Sequence, residues 1–264
     1  MFNLKRPCRD CPFRTDIPGY LRGTRARGII DDLLGNDMHG FACHKTTATV
    51  EADDGFSETV CTDESQQCAG ALALTYKLGR PNVAARLAVF TGDLDLDALD
   101  QEGQVAASRE AFIIHHALRW GADELPLVAH ELRGLLDRYA NAPTECDGHT
   151  QIVGHFLTIA GVPFRAWSGV LHRGQQAVDP HLWITVGEGQ PGNPGCIVID
   201  YRRRMWIGDD VAEGVLLPND LGDTSYSRAT EIALGRLDPA LLFALTTSID
   251  DIEALIAERR KAEA

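Results

Sequence analysis

The sequence predicts an α+β protein in two parts, and three observations carry that expectation. Five of the seven cysteines fall within the first 68 residues, among Gly, Asp and Thr with little apolar periodicity. Such a segment has few apolar groups with which to fold on packing alone, so a bound metal is expected to stabilise it. The middle of the chain repeats apolar residues at helical spacing. Beyond residue 140 a long amphipathic segment precedes short β-like runs separated by Gly, Pro and Asp, the pattern of a helix packed on an antiparallel sheet. The 264 residues exceed the ~250 that one core usually reaches. The expected division is a cysteine-rich, metal-stabilised N-terminal domain with a helical extension over 1–105, a helical connector over 106–140, and an α+β domain over 141–264.

The elements follow in order. In the first segment only residues 26–34 are amphipathic. Helices are expected over 69–78, over 82–90 with Pro81 at the opening turn, over 105–120 and over 125–139. The acidic stretch 92–100 reads as a solvated loop or short helix, because alternating Asp and Leu lacks the ligand spacing of a calcium loop. Asn141-Ala142-Pro143 breaks the chain before an amphipathic helix over 144–160, which Gly161-Val162-Pro163 ends. Strands are expected over 164–171, 181–186 and 196–201, and two short helices over 238–245 and 249–260.

Charge and apolar content limit the function classes. Hydrophobic residues are 44% and charged residues 24% of the chain, which argues for a folded globular protein. The longest apolar runs fall far short of the ~20 residues that cross a bilayer, so no membrane partner is expected. Nor does the N-terminal sequence show an apolar targeting core, and the cytoplasm is the expected location. The net charge of −13 repels phosphate backbones. Residues 1–30 run against that average, with seven Lys and Arg against two Asp, and under an alternative, non-enzymatic reading the metal-binding N-terminal domain is expected to contact nucleic acid or a protein partner.

Two constellations bear chemistry. Thr144 and Asp147 have the spacing of a capping box, which puts Cys146 in the first turn of its helix. Unpaired amides and the macrodipole favour an anion there, so Cys146 is placed as a nucleophile. A nucleophilic thiol needs a base and the base an orienting acid. Alternation along 181–186 sets His181, Trp183 and Thr185 on one face of a strand, and Asp200 closes the next apolar run. If those strands are neighbours, one register brings Asp200 beside His181. Near the other end, Cys8-Arg9-Asp10-Cys11 has the spacing at which two thiolates reach one metal. Cys43 and Cys68 complete a set of four, leaving Cys61, His39 and His44 spare. Zinc is the first expectation and an iron–sulfur cluster the alternative, since Cys-Pro also recurs at cluster sites.

Over residues 140–205 the order Cys146, helix, Gly161-Val162-Pro163-Phe164-Arg165, strand, His181-Leu182-Trp183, strand, Asp200 resembles the transglutaminase-like cysteine hydrolases. The resemblance implies a papain/transglutaminase-like fold, a triad of Cys146, His181 and Asp200 that needs no cofactor, and Trp183 as an aromatic wall of the substrate site. It implies acyl transfer on a peptide, protein or small amide substrate, with hydrolysis favoured over cross-linking. Asp200-Tyr201-Arg202 departs from the family's usual Asp-Pro-Thr, and Thr144 stands where Gly is common. The run Arg202-Arg203-Arg204 beside Asp200 is open to two readings, a contact with an acidic substrate or a solvated strand end. The N-terminal pattern Cys8-x-x-Cys11-Pro12-Phe13-Arg14, Phe41-x-Cys43-His44, Cys68-Ala69-Gly70 and Leu78-Gly79-Arg80-Pro81-Asn82 is similar to a small domain of unknown function found in phage and actinobacterial proteins. That likeness implies a metal-bound fold and no activity.

Overall fold

A computed structural model describes residues 2–51, 57–99 and 105–262. The chain divides into two compact units, Met1–Arg119 and Trp120–Ala264. The helices expected as a connector therefore fall one to each unit instead of forming a separate piece.

In the first unit, helix α1 (Gly23–Gly35) packs against α4 (Arg109–Ala117), with α2 (Ala69–Lys77), α3 (Val83–Thr91) and an antiparallel hairpin of β1 (Ala48–Glu51) and β2 (Ser57–Val60) completing the set. The hairpin was not legible in its polar sequence. The segment also holds an aromatic core that its composition does not announce. Phe13 is fully buried, edge-on to Phe41 and stacked on Phe112 at 5.1 Å in each case, a geometry in which aromatic rings attract beyond their area. Helix α2 is buried from Ala69 to Thr75, as expected of a helix apolar all round. In the acidic stretch, Leu94, Leu96 and Leu99 turn inward while Asp93, Asp95 and Asp97 face out. It is thus a half-buried loop and not wholly solvated. Asp100, its last residue, lies outside the described residues.

The second unit is mixed α+β. Five antiparallel strands run in the order β6-β5-β4-β3-β7, with β3 at Arg165–Arg173, β4 at Gln176–Gly187, β5 at Cys196–Asp200, β6 at Gly214–Leu216 and β7 at Thr224–Ile232. Helix α5 (Leu125–Leu136) lies against β5, β6 and α6 (Cys146–Ala160), and α6 packs on β4. Ile152, Val153, Leu157 and Ala160 form its buried stripe, and Gly161 stops it in the left-handed conformation at φ 71°, which glycine adopts without a Cβ clash. A short helix α7 (Arg203–Ile207) follows β5, and α8 (Pro239–Thr246) and α9 (Ile249–Ala262) come last. No helix among the described residues is long and apolar enough to cross a membrane.

Three boundaries differ from expectation for local reasons. The helix expected over 105–120 starts only after Ser108, whose Oγ accepts from the Ala111 amide, and gives way to a 3-10 turn broken at Gly121. The capping box at Thr144 does not form. Glu145 is the N-cap, Asp147 accepts instead from the Gly148 amide at 2.7 Å, and Thr144 Oγ1 is buried without a partner among the described residues. Strands β6 and β7 were not foreseen: β6 is three residues long, and β7 is a polar edge strand, whose charged side chains obscure any apolar alternation.

Candidate active site

Strand register builds the site. The last paired residues of β4 and β5 are Ile184 and Ile199, so the next step sets Asp200 opposite Trp183. His181 lies two residues further along the same face, a diagonal neighbour within side-chain reach. There the His181 Nε2–H donates to Asp200 Oδ2 at 2.7 Å, with both side chains buried.

Asp200 is held from three directions. Its Oδ1 accepts from the Arg202 amide at 3.0 Å, and its Oδ2 accepts a second bond from the Tyr226 hydroxyl at 2.9 Å. Burial pushes its pKa up, but the charge and hydrogen bond of His181, with those two donors, outweigh it and hold the carboxylate below its ordinary range. The same balance acts on His181. Burial disfavours the cation, yet Asp200 and then Cys146 raise the ring from its ordinary 6.5 to about 9.

Cys146 opens α6 and is 8% exposed. With Nε2 committed to Asp200, Nδ1 is the imidazole nitrogen left for it. Nδ1 is buried and has no formed hydrogen bond among the described residues. The thiol is nonetheless near enough to act on the ring's protonation. A gap of this kind is common before substrate tightens a catalytic pair. The Cys146 amide is in the first turn, where helical geometry leaves it without an intrahelical acceptor.

Trp183 is fully buried and stacks beside His181, with ring centroids 6.4 Å apart and planes 16° from parallel. It joins Trp167, Val198, Leu216 and Leu221 in one apolar cluster against which Tyr226 packs. Its indole N–H is buried without a partner among the described residues. Gly169, paired with His181 across β3 and β4, makes this packing possible: a Cβ there would sit 2.8 Å from the Trp183 ring and 2.5 Å from the Ser227 carbonyl.

Two functional neighbours escaped the sequence reading. Tyr226 comes from the unforeseen β7. Arg202 belongs to a run read as meeting either an acidic substrate or solvent at a strand end, and the structure corrects that reading. Arg202 and Arg203 are buried, and only Arg204 is exposed. The Arg202 guanidinium donates to Thr144 O at 2.6 Å, to Ala140 O at 2.8 Å, to Tyr201 O at 2.7 Å and to Ala142 O. Three of those carbonyls lie in the loop that delivers Cys146. Arg202 thus ties the strand end bearing Asp200 to the start of α6, and its cation interacts with both Cys146 and Asp200.

Other histidines and cysteines of the second unit are structural. His149 Nε2 bonds the Tyr139 carbonyl at 3.0 Å, and burial followed by the Arg202 charge lowers its pKa to about 4. His155 Nδ1 accepts from the Leu237 amide. Cys196 is buried in β5, and burial pushes it up to about 11. A cavity of about 450 Å³ borders the entry to α6, lined by Asn141, Thr144, Glu145, Arg202, Arg204 and Glu213 among others.

In the first unit, Cys11, Cys43 and Cys68 are buried, Cys8 is half-buried and Cys61 is exposed; all seven cysteines of the chain are free thiols. Cys11 Sγ lies 3.5 Å from Cys68 Sγ, and Cys8 is within electrostatic reach of Cys43 and Cys68. No group of three or more His, Cys, Asp or Glu side chains among the described residues is drawn up ready to hold a metal ion. In the basic N-terminal stretch, Arg14 pairs with Asp16, and Asp10 pairs with Lys45. The chain matches no family model, no curated protein and no solved structure.

Proposed function

We propose that the second unit is a cysteine hydrolase of transglutaminase-like type, acting on an amide or ester carbonyl of a peptide, protein or small molecule. The observation that carries this reading is the buried His181–Asp200 pair at 2.7 Å, with Cys146 at a helix N-terminus acting on the same imidazole. A carboxylate that fixes one ring nitrogen and leaves the other for a thiol is the arrangement nucleophilic catalysis requires.

In the proposed reaction Cys146 and His181 start as a thiolate–imidazolium pair, the proton resting on His181 Nδ1, and the sulfur attacks the substrate carbonyl carbon. The resulting oxyanion is met by the Cys146 amide. As the carbon–nitrogen or carbon–oxygen bond breaks, the His181 Nδ1–H protonates the leaving group, leaving a thioester on Cys146. Water then attacks, His181 takes its proton, and the thiolate returns as the acid departs. Asp200 keeps Nε2–H in place and stabilises the imidazolium throughout, while Arg202 positions the loop that carries the nucleophile. The cavity bordered by Thr144 and Glu145 is the proposed place for one side of the substrate. A chain whose seven cysteines are all unpaired suits a reducing compartment, and the cytoplasm is the proposed location.

The test is covalent labelling with a thiol-directed electrophile under native conditions. Cys146→Ala is expected to abolish labelling of the second unit, whereas Cys196→Ala leaves it intact. Equal labelling of that unit in both variants would remove the assignment.

A further inference from the structure

Outside the candidate active site, the densest set of reactive side chains is the N-terminal thiol group, and its surroundings are built for sulfur anions. The Cys11–Cys68 separation of 3.5 Å is close to the edge of a tetrahedron with zinc–sulfur bonds of about 2.3 Å, which is about 3.8 Å. Cys8 lies within electrostatic reach of Cys43 and Cys68, and Cys11 within reach of Cys8, so the four thiols share one locus.

Backbone geometry holds the four sulfurs there. Residues Ala42 and Gln67 form an antiparallel bridge, with Cys43 N bonding Gln66 O at 2.8 Å and Cys68 N bonding Phe41 O at 2.7 Å. Cys43 and Cys68 thus lie on one face of the bridge as diagonal neighbours. Two successive turns, Cys11 N to Cys8 O at 3.1 Å and Arg14 N to Cys11 O at 3.2 Å, shape the Cys-x-x-Cys loop. The amides of Gly70 and Ala71 open α2 directly after its N-cap residue Cys68, where helix geometry leaves first-turn N–H groups without intrahelical partners. Amides so placed beside a sulfur favour the thiolate, and such outer donors are the usual support of a thiolate–metal centre. Gly70 fits the same purpose: a Cβ on it would stand 2.5 Å from Cys11 Sγ, so any other residue would push that sulfur away.

We propose that Cys8, Cys11, Cys43 and Cys68 bind a single zinc ion as a four-thiolate centre that stabilises the N-terminal unit. A divalent ion supplies the counter-charge that clustered thiolates need. An all-sulfur set selects a soft or borderline metal. The close Cys11–Cys68 contact favours a single ion over a cubane cluster, in which each thiolate takes a different iron and the sulfurs are spread apart. Cys61 and His44 are left out: both are exposed, and they line a separate cavity with Leu21, Ile29 and Phe41.

The test uses the full chain, purified reduced and without chelator. Elemental analysis is expected to give one zinc per chain, retained in Cys61→Ser and lost in Cys11→Ser. Because Cys11→Ser can fail to fold, the decisive measurement is on the unsubstituted protein. Exchange with cobalt(II) is expected to give thiolate-to-cobalt charge-transfer bands and the visible bands of tetrahedral cobalt. A folded chain that carries no metal and yields no such spectrum overturns the proposal, as does iron accompanied by acid-labile sulfide. None of these outcomes depends on whether Cys146 is a nucleophile.

Discussion

Replacing Asp200 by Asn keeps the size of the side chain and one oxygen, which can accept from the Arg202 amide at the Oδ1 position or from the Tyr226 hydroxyl at the Oδ2 position, but removes the charge that faces His181. In the native protein Asp200, followed by Cys146, raises His181 from 6.5 to about 9 against the opposing effect of burial. That displacement is equivalent to about 3 kcal/mol of preference for the protonated ring, roughly three-hundredfold in the protonation equilibrium. Without the carboxylate, burial dominates, so in Asp200→Asn the ring is expected to titrate near or below 6.5. Nitrogen-15 NMR of the histidine rings against pH reads this directly. The linked stability has a definite sign. A group whose folded pKa is raised contributes fully below its unfolded value and loses that contribution as pH rises through the folded value. The native protein should therefore lose up to about 3 kcal/mol in denaturant unfolding between about pH 6 and about pH 10, and Asp200→Asn should lose much less from this source. A ring that still titrates near 9 in Asp200→Asn would refute the reasoning.

Further outcomes follow from the same contacts. Tyr226→Phe deletes one donor to a buried carboxylate and is expected to cost about 1–3 kcal/mol of stability, read by urea unfolding, and to lower the His181–Asp200 pair's share of protonated ring. Arg202→Lys cannot reach four carbonyls with one ammonium; a loss of about 2 kcal/mol or more and a slower reaction of Cys146 with electrophile are expected, whereas an unchanged labelling rate would show that the loop holds itself. Gly169→Ala forces a methyl group against the Trp183 ring and the Ser227 carbonyl and should lower stability by about 1–3 kcal/mol in thermal unfolding. Acid should also weaken the pair: Asp200's contribution, present above its ordinary carboxylate pKa of 3.8, is lost as pH falls through its depressed folded value, and unfolding between about pH 5 and about pH 2 should show it.

Residue order made the candidate site legible before its geometry was known. Helical period located α6, alternation set His181 and Trp183 on one face, and an apolar run ending in a carboxylate marked Asp200, all of which are local signals. What stayed hidden depends on distant partners. Tyr226 reaches Asp200 from an edge strand whose polar sequence carries no period. Arg202 looked like part of a solvated basic run, and only the fold shows that its guanidinium is buried among four carbonyls. The cap at Thr144 failed for a related reason: Arg202 draws the Thr144 carbonyl into its own network, and α6 begins one turn position later. In the first unit, cysteine spacing drew attention away from an aromatic core in which Phe13, Phe41 and Phe112 meet across about a hundred residues of sequence.

The central claim is that Cys146 carries an acyl group during turnover. Mass spectrometry of the intact protein and its peptides, after rapid acid quench of a reaction with an activated ester, tests it most directly. The account predicts a transient mass increase equal to the acyl group, located on Cys146 and absent from Cys146→Ala and His181→Ala. An adduct confined to Cys61 or another cysteine, or one formed equally fast in His181→Ala, would contradict it.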